Sequence, residues 1–434
     1  MTMLSGRTGI WRFAAALVLC GCPATAGAQT HEEFFGQLTL HEIRLTMSRR
    51  DWQALKDHFE LDTYYAADLR WSGVTLRNVG VRSRGHVTRN GTKPGLRIDV
   101  NRYLSDQRFL GMTAFSLDNA YYDPSLLRES LAMTFFNRMG VVAPRDAHAR
   151  LFVNGEYAGV YVIVESIDRA FVARTFGEDE AHIERGGHLF EYRWTRPYGF
   201  EYLGPDLEPY AEMFTPQTRE TDSMTGLFGR IEELVRAITE TPDERFVSVV
   251  NSLLDLPLFM RYLAVENFLA ETDGILGPWG LHNFYLYRRH SDGRSYLIPW
   301  DKDTSFSSVD HPVDFHLLDN VLTRRAMDTP ELRQIYLDTL ITCADLAQVR
   351  DVESADSRGW LEREIDRAAE MIRAAVGEDP VYPFSMEQFE GDIEWLRQFA
   401  RRRSAAVACA LGSSVSTAFG SQPCVLPAAT QTEE

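Results

Sequence analysis

Apolar and polar residues alternate from residue 37 to residue 47, the period of two expected of a half-buried strand. Ser48-Arg49-Arg50-Asp51 follows as a helix-opening cap, predicting a helix to about residue 58. Short β-type runs recur at 67–71, 74–76, 79–83 and 96–100. Asp123-Pro124 has the form of an N-cap with proline in the first turn, and the spacing predicts a helix over 125–139 that ends at Gly140. Two runs at 148–153 and 157–165 flank Asn154-Gly155, the dipeptide favoured by a type I′ hairpin turn. A short helix is predicted over 168–176. Residues 177–225 read as surface loops around a strand at 188–192. Helices are predicted at 227–240 and 256–271, then a second hairpin, 284–288 with 295–299, turning at Ser291-Asp292-Gly293. From 329 to 411 the period is helical, and the Ser/Thr/Ala-rich tail 412–434 reads as disordered. The expectation is an α+β fold with antiparallel hairpins packed on helices, residues 29–328 and the helical 329–411 forming one domain.

The N-terminus follows another pattern. Arg7 and Arg12 precede a short apolar stretch, and small residues end in Ala26-Gly27-Ala28. This reads as a signal peptide over 1–28 and an exported product, periplasmic, extracellular or on the surface. Leu19-Cys20-Gly21-Cys22 offers the alternative of a lipoprotein acylated at Cys22. No later stretch is apolar enough for a transmembrane helix. Of the five cysteines, Cys409 and Cys424 are placed to close a short loop, and Cys343 sits in an apolar helical run.

The 434 residues carry 45 basic and 62 acidic side chains, a formal charge of −17, which argues against nucleic-acid binding. Composition adds little more, because the chemistry is local. Asp301-Lys302-Asp303 directly follows the second hairpin. Carboxylates two apart in an extended segment face one way and repel unless a cation or a proton lies between them; their hard oxygens suit magnesium or manganese. Upstream lie Asp273, at the end of a predicted helix, and Asn283, at the start of the hairpin. Asp, Asn, hairpin, Asp is the order protein kinases use for a catalytic aspartate and two metal-binding residues. The spacing differs: Asp273 and Asn283 are ten apart, and there is no H-R-D and no D-F-G. A solvated acidic turn is the plainer alternative.

Only Lys56, Lys93 and Lys302 are lysines. Lys93 follows Arg82-Ser83-Arg84-Gly85 and lies among Gly85, Gly91 and Gly95, a basic turn able to hold phosphates. Glu165, closing the first hairpin, is placed either to pair with Lys93 or to cap the following helix.

Val79-Gly80-Val81-Arg82-Ser83-Arg84-Gly85 with Lys93, Leu117-Asp118-Asn119 through Leu127-Arg128, Asn154-Gly155-Glu156-Tyr157-Ala158-Gly159-Val160-Tyr161 with Glu165, His282-Asn283-Phe284-Tyr285-Leu286-Tyr287 and Pro299-Trp300-Asp301-Lys302-Asp303 together resemble the CotH-type spore-coat protein kinases over about residues 37–310. The resemblance implies a remote, atypical kinase fold that uses ATP with Mg2+ or Mn2+. It implies phosphate transfer to Ser or Thr of secreted or surface proteins, or to itself. By matching blocks it sets Asp273 and Asp301 as catalytic, Asn283, Asp301 and Asp303 as metal-binding, and Arg82, Arg84, Lys93 and Glu165 in the nucleotide region. A non-catalytic surface or adhesion module and a metal-dependent hydrolase remain the rivals.

Overall fold

A computed structural model describes residues 29–36, 39–351 and 355–416. The expected signal peptide, Cys22 and Cys424 therefore lie outside the described residues. A helix α1 (His31–Phe34) opens them. Thr30 caps it, accepting from the Glu33 amide while the Glu33 carboxylate accepts from the Thr30 amide.

Seven strands close into a barrel: β1 (Leu40–Met47), β2 (Tyr65–Trp71), β3 (Val74–Arg84), β4 (Gly95–Asp99), β5 (Ala114–Asp118), β6 (Asp146–Val153) and β7 (Glu156–Glu165), in the order β1-β2-β3-β4-β5-β7-β6. All ladders are antiparallel except β1 with β6, which runs parallel from Leu40 opposite His148 to Leu45 opposite Val153 and seals the barrel. Inward-facing Ile43, Leu45, Leu69, Val81, Ile98, Leu151 and Ile163 fill its interior. Phe34 of α1 plugs one end, its ring 4.8–5.1 Å from those of Trp71, Phe109 and Phe115. Asn154 and Gly155 adopt φ of +54° and +87°, as the β6–β7 turn requires. Helix α2 (Arg49–Asp57) and helix α3 (Arg128–Arg138) flank the barrel.

Two sequence expectations change here. The runs at 74–76 and 79–83 are one strand, bent at a bulge opposite Ala67–Leu69, with Asn78 at φ +55°. Helix α3 starts at Arg128, not at 125, because Leu126 is left-handed (φ +57°) and Asp123, buried, folds its carboxylate onto the amides of Ser125 and Arg128.

After α4 (Arg169–Phe176) comes β8 (His188–Tyr192), then α5 (Glu208–Met213), β9 (Phe214–Pro216), α6 (Met224–Glu240), α7 (Asp243–Val250), α8 (Leu256–Phe268), β10 (Phe284–Arg288) and β11 (Ser295–Pro299). A second sheet has the order β11-β10-β8-β9. The segment 177–225 is thus more than surface loop: Tyr198, Phe200, Tyr210, Met213 and Phe214 are buried in the main core. Four helices follow: α9 (Val321–Asp328), α10 (Pro330–Ala347), α11 (Trp360–Gly377) and α12 (Met386–Ser416). The helix reaches past 412, where a disordered tail was expected. Cys343 is free and buried, and Cys409 is disulfide-bonded to a partner outside the described residues.

The mixed α and β content agrees with the expected class. Helix α8 is apolar on nearly every face and runs through the centre of the main core, against α10. Arg403 of α12 is 1% exposed, and its guanidinium donates to the carbonyls of Asn267, Phe268, Val309 and His311. That saturation is what allows a guanidinium to be buried. No helix among the described residues is long and apolar enough to cross a membrane.

Candidate active site

The β10–β11 hairpin brings its two ends together. The Trp300 amide donates to the Asn283 carbonyl at 3.1 Å, setting Asn283 and Asp301 side by side, both left-handed with φ of +53° and +52°. Asn and Asp tolerate that conformation better than most residues. Ala270 and Phe306, bonded to each other's neighbours just below, are left-handed too, at +54° and +64°. Such a concentration of uncommon backbone marks a functional site more often than an ordinary loop.

Alternation holds through Asp301-Lys302-Asp303. Lys302 turns inward, 0% exposed, and pairs with Glu266 of α8 at 2.8 Å. Gly274 has to be glycine for this, since a Cβ there would lie 2.2 Å from a Glu266 oxygen. The flanking carboxylates point the other way. Asp301 reaches solvent, yet the protein enclosing it and the charge of Asp118 push its pKa up to about 6. Burial, then the Asp301 charge, holds Asp303 well above the carboxylate range. Neither carboxylate has a hydrogen-bond or ion-pair partner among the described residues.

Asp273 and Asn283 are joined directly. The Asn283 Nδ2 donates to the Asp273 carbonyl at 2.9 Å and to its Oδ2 at 3.0 Å. The Asp273 amide donates to Glu271 at 2.7 Å, and His282 Nδ1 lies 3.9 Å from Asp273 Oδ1. Burial raises the Asp273 pKa. Glu271 also accepts from the Thr304 and Ser305 hydroxyls, tying this segment to the one carrying Asp303.

From the barrel side, Arg84 at the end of β3 pairs with Asp118 at 3.3 Å, and its guanidinium lies over the Trp300 ring at 5.3 Å. Burial opposes its charge, but Asp118 and Asp301 prevail and raise its pKa. Glu129 of α3 faces the same acids: burial, then Asp146 and Asp301, hold its carboxyl well above the usual range.

The other three expected nucleotide residues are held elsewhere. Arg82 pairs with Asp62 at 2.8 Å. Lys93 does not pair with Glu165. Its ammonium, 4% exposed, meets Asp379 of the α11–α12 connection at 3.0 Å and lies near the Tyr161 and Tyr382 rings. Glu165 is held instead by Arg145 and Arg174, at 3.0 and 2.8 Å. The glycine turn is explained by packing, because a Cβ on Gly91 would meet the Lys56 carbonyl at 2.4 Å. Its Thr92 and Lys93 amides are spent on the Asn90 side chain. Sequence reasoning gave no role to Asp118, Glu129 or Glu266; Asp118 lay inside a quoted motif, while Glu129 and Glu266 carried only the weak signal of an acid in an apolar helix.

Among the described residues no three His, Cys, Asp or Glu side chains are arranged to hold a metal ion. Two unpartnered, mutually repelling carboxylates beside an amide oxygen still fit a magnesium-type ion, which usually takes one or two carboxylates and fills its shell with water and phosphate oxygens. A cavity of about 620 Å³ lies away from the acidic loop, lined by Arg138, Arg145, Arg174 and Arg367 with Asp146; Asp273, Asn283, Asp301 and Asp303 do not line it.

A family model described as CotH kinase protein matches residues 81–407. This chain belongs to the CotH family. Inner spore coat protein H of Bacillus subtilis (strain 168) is 26% identical over 336 residues, 75% of this chain and 85% of that protein. Invasins CotH2 and CotH3 of Rhizopus delemar are 26% and 25% identical over 199 residues, 44% of this chain but only 32% and 31% of theirs. The CotH match includes every site residue described above, from Arg84 to Asp303, together with α12 as far as Val407.

Proposed function

We propose that this chain is an atypical, metal-dependent protein kinase of kinase-like fold, which transfers the ATP γ-phosphoryl group to Ser or Thr of a secreted or surface protein, or to itself. The unpartnered Asp301 and Asp303 facing Arg84, beside the Asp273–Asn283 pair, carry this reading. Asp301, Asp303 and the Asn283 Oδ1 would hold the cation, which when bound neutralises charge on the phosphate oxygens. Arg84, steadied by Asp118 and Trp300, presents its guanidinium to phosphate. Asp273 accepts the acceptor hydroxyl's proton; its raised pKa makes it a better base, and the Asn283 amide fixes its orientation. Lys93, sealed against Asp379, supports the barrel and is not given a phosphate contact. The family description and the spore-coat relative support kinase chemistry and action on coat or surface proteins. The fungal invasins support a surface location as well, and the expected export signal agrees with both. A cation placed against the acidic pair favours phosphate over a glycoside as substrate.

The test is incubation of the purified protein with γ-labelled ATP and Mn2+ or Mg2+, alone and with candidate surface proteins. Protein-bound label is expected from wild type and not from Asp301→Asn. Equal labelling by Asp301→Asn, or none by wild type with either metal, overturns the reading.

A further inference from the structure

Among the described residues the side chains of Asp301 and Asp303 have no hydrogen-bond or ion-pair partner, so the backbone sets where they point. The anchors of that backbone are therefore decisive. On one side they come from α8 and its extension: Lys302 to Glu266, Ser305 to Glu271, and the Phe306 amide to the Leu269 carbonyl at 2.6 Å. On the other side they come from α12, more than eighty residues downstream. The Trp395 indole donates to the Phe306 carbonyl at 2.8 Å. The Ser305 carbonyl accepts from Arg128 Nη1 at 2.7 Å. Asp392 of α12 takes the fork of that guanidinium, with Nη2 to Oδ1 at 2.5 Å and Nε to Oδ2 at 3.3 Å, and Asp123 Oδ1 lies 3.6 Å from Nε. Asp123 holds Arg128 from a third direction, accepting from its amide at 2.8 Å.

We infer that Arg128 is a positioning residue through which α12 sets the metal-holding loop. The inference rests on the proposed function. A planar guanidinium forked onto a carboxylate through Nε and Nη2 has its Nη1 donors fixed in direction, and here one of them falls on the carbonyl two residues beyond Asp303. Asp392 aligns Arg128, Arg128 aligns Ser305, and Trp395 holds the next carbonyl, so a left-handed Phe306 is fixed from the side opposite α8. Arg128 also starts α3, whose next residue is Glu129, so the same contact ties barrel-side and loop-side acids to one downstream helix.

Asp392→Asn keeps the shape but loses the charge that orients the fork; Trp395→Phe removes one donor and keeps the ring. Three measurements apply: free Mn2+ by electron paramagnetic resonance, amide hydrogen exchange over 301–308 in metal-free protein, and transfer rate against Mn2+ concentration. Each variant should bind Mn2+ about ten-fold more weakly, as expected for a group one step behind a ligand. Amides of 303–306 should exchange faster than in wild type while those of the barrel do not. Excess Mn2+ should restore the rate of Asp392→Asn but not of Asp301→Asn, a rescue that general destabilisation would not give. Wild-type Mn2+ affinity and wild-type exchange over 303–306 in both variants overturn the inference. If wild type binds no Mn2+, the function reading fails instead, and the exchange measurement still decides whether α12 holds the loop.

Discussion

Replacing Lys302 by methionine isolates the buried ion pair behind the acidic loop. Lys302 and Glu266 are 0% and 1% exposed and 2.8 Å apart. Methionine fills similar space but leaves the Glu266 carboxylate with the Ile275 amide, at 3.0 Å, as its donor among the described residues. Breaking a buried pair from one side costs roughly 3–5 kcal/mol. For a chain of this size that is a fall of roughly 3–6 °C in melting temperature. The cost depends on pH, and its sign follows from Glu266. Burial already raises that carboxyl despite Lys302; without the ammonium it rises further. The folded variant then binds more protons than the unfolded chain, so its stability falls as pH rises, by about 1.4 kcal/mol per unit, until Glu266 is fully ionised. Urea unfolding of wild type and Lys302→Met from pH 5.5 to 8.5 should show a gap that widens with pH. Glu266→Gln added to Lys302→Met should recover most of it, since the amide oxygen still accepts from Ile275. A gap below about 1 kcal/mol at pH 8, or one that does not vary with pH, would refute a fully desolvated pair.

Further outcomes follow from the same contacts. Asp301→Asn should abolish phosphoryl transfer and weaken Mn2+ binding while the melting temperature holds or rises, because it removes a repulsion with Asp303. Lys93→Met should cost roughly 3–5 kcal/mol by stranding the buried Asp379, read by urea unfolding; a neutral effect would mean that Asp379 finds another partner. His148, 3% exposed and bonded to the Leu126 carbonyl, has its pKa pushed down to about 4 by burial. The unfolded chain binds its proton first, so stability should fall as pH drops from about 6.5 toward 4, by roughly 3 kcal/mol in all. His148→Gln should flatten that part of the stability–pH curve.

The parts of the fold legible in the sequence were those whose cause is local. Asn154-Gly155 announced its hairpin because only such residues take that turn. Asp301, Asp303 and Asn283 stood out because one hairpin joins them. What stayed hidden was decided far along the chain. Lys93 reads as a phosphate ligand within its own loop, and nothing near it points to Asp379, 286 residues away. The split of β3 into two runs came from Arg77-Asn78, a polar interruption that the bulge absorbs. The closure of the barrel was invisible because the β1–β6 ladder joins strands more than a hundred residues apart, and alternation says which face is buried but not which strand is the neighbour.

That closure bears on where this domain can be cut. The family match begins at Val81, inside β3, and so leaves out β1 and β2. A fragment trimmed to that boundary would keep most of the barrel's wall and lose the two staves that join its ends. β6 and what remains of β3 would then present open rows of amides and carbonyls, the kind of edge on which chains stack into aggregates. An insoluble product from such a fragment would therefore say nothing about the acidic loop. Gene fusions, domain swaps and library designs built on this chain should treat the first strand as inseparable from the sixth.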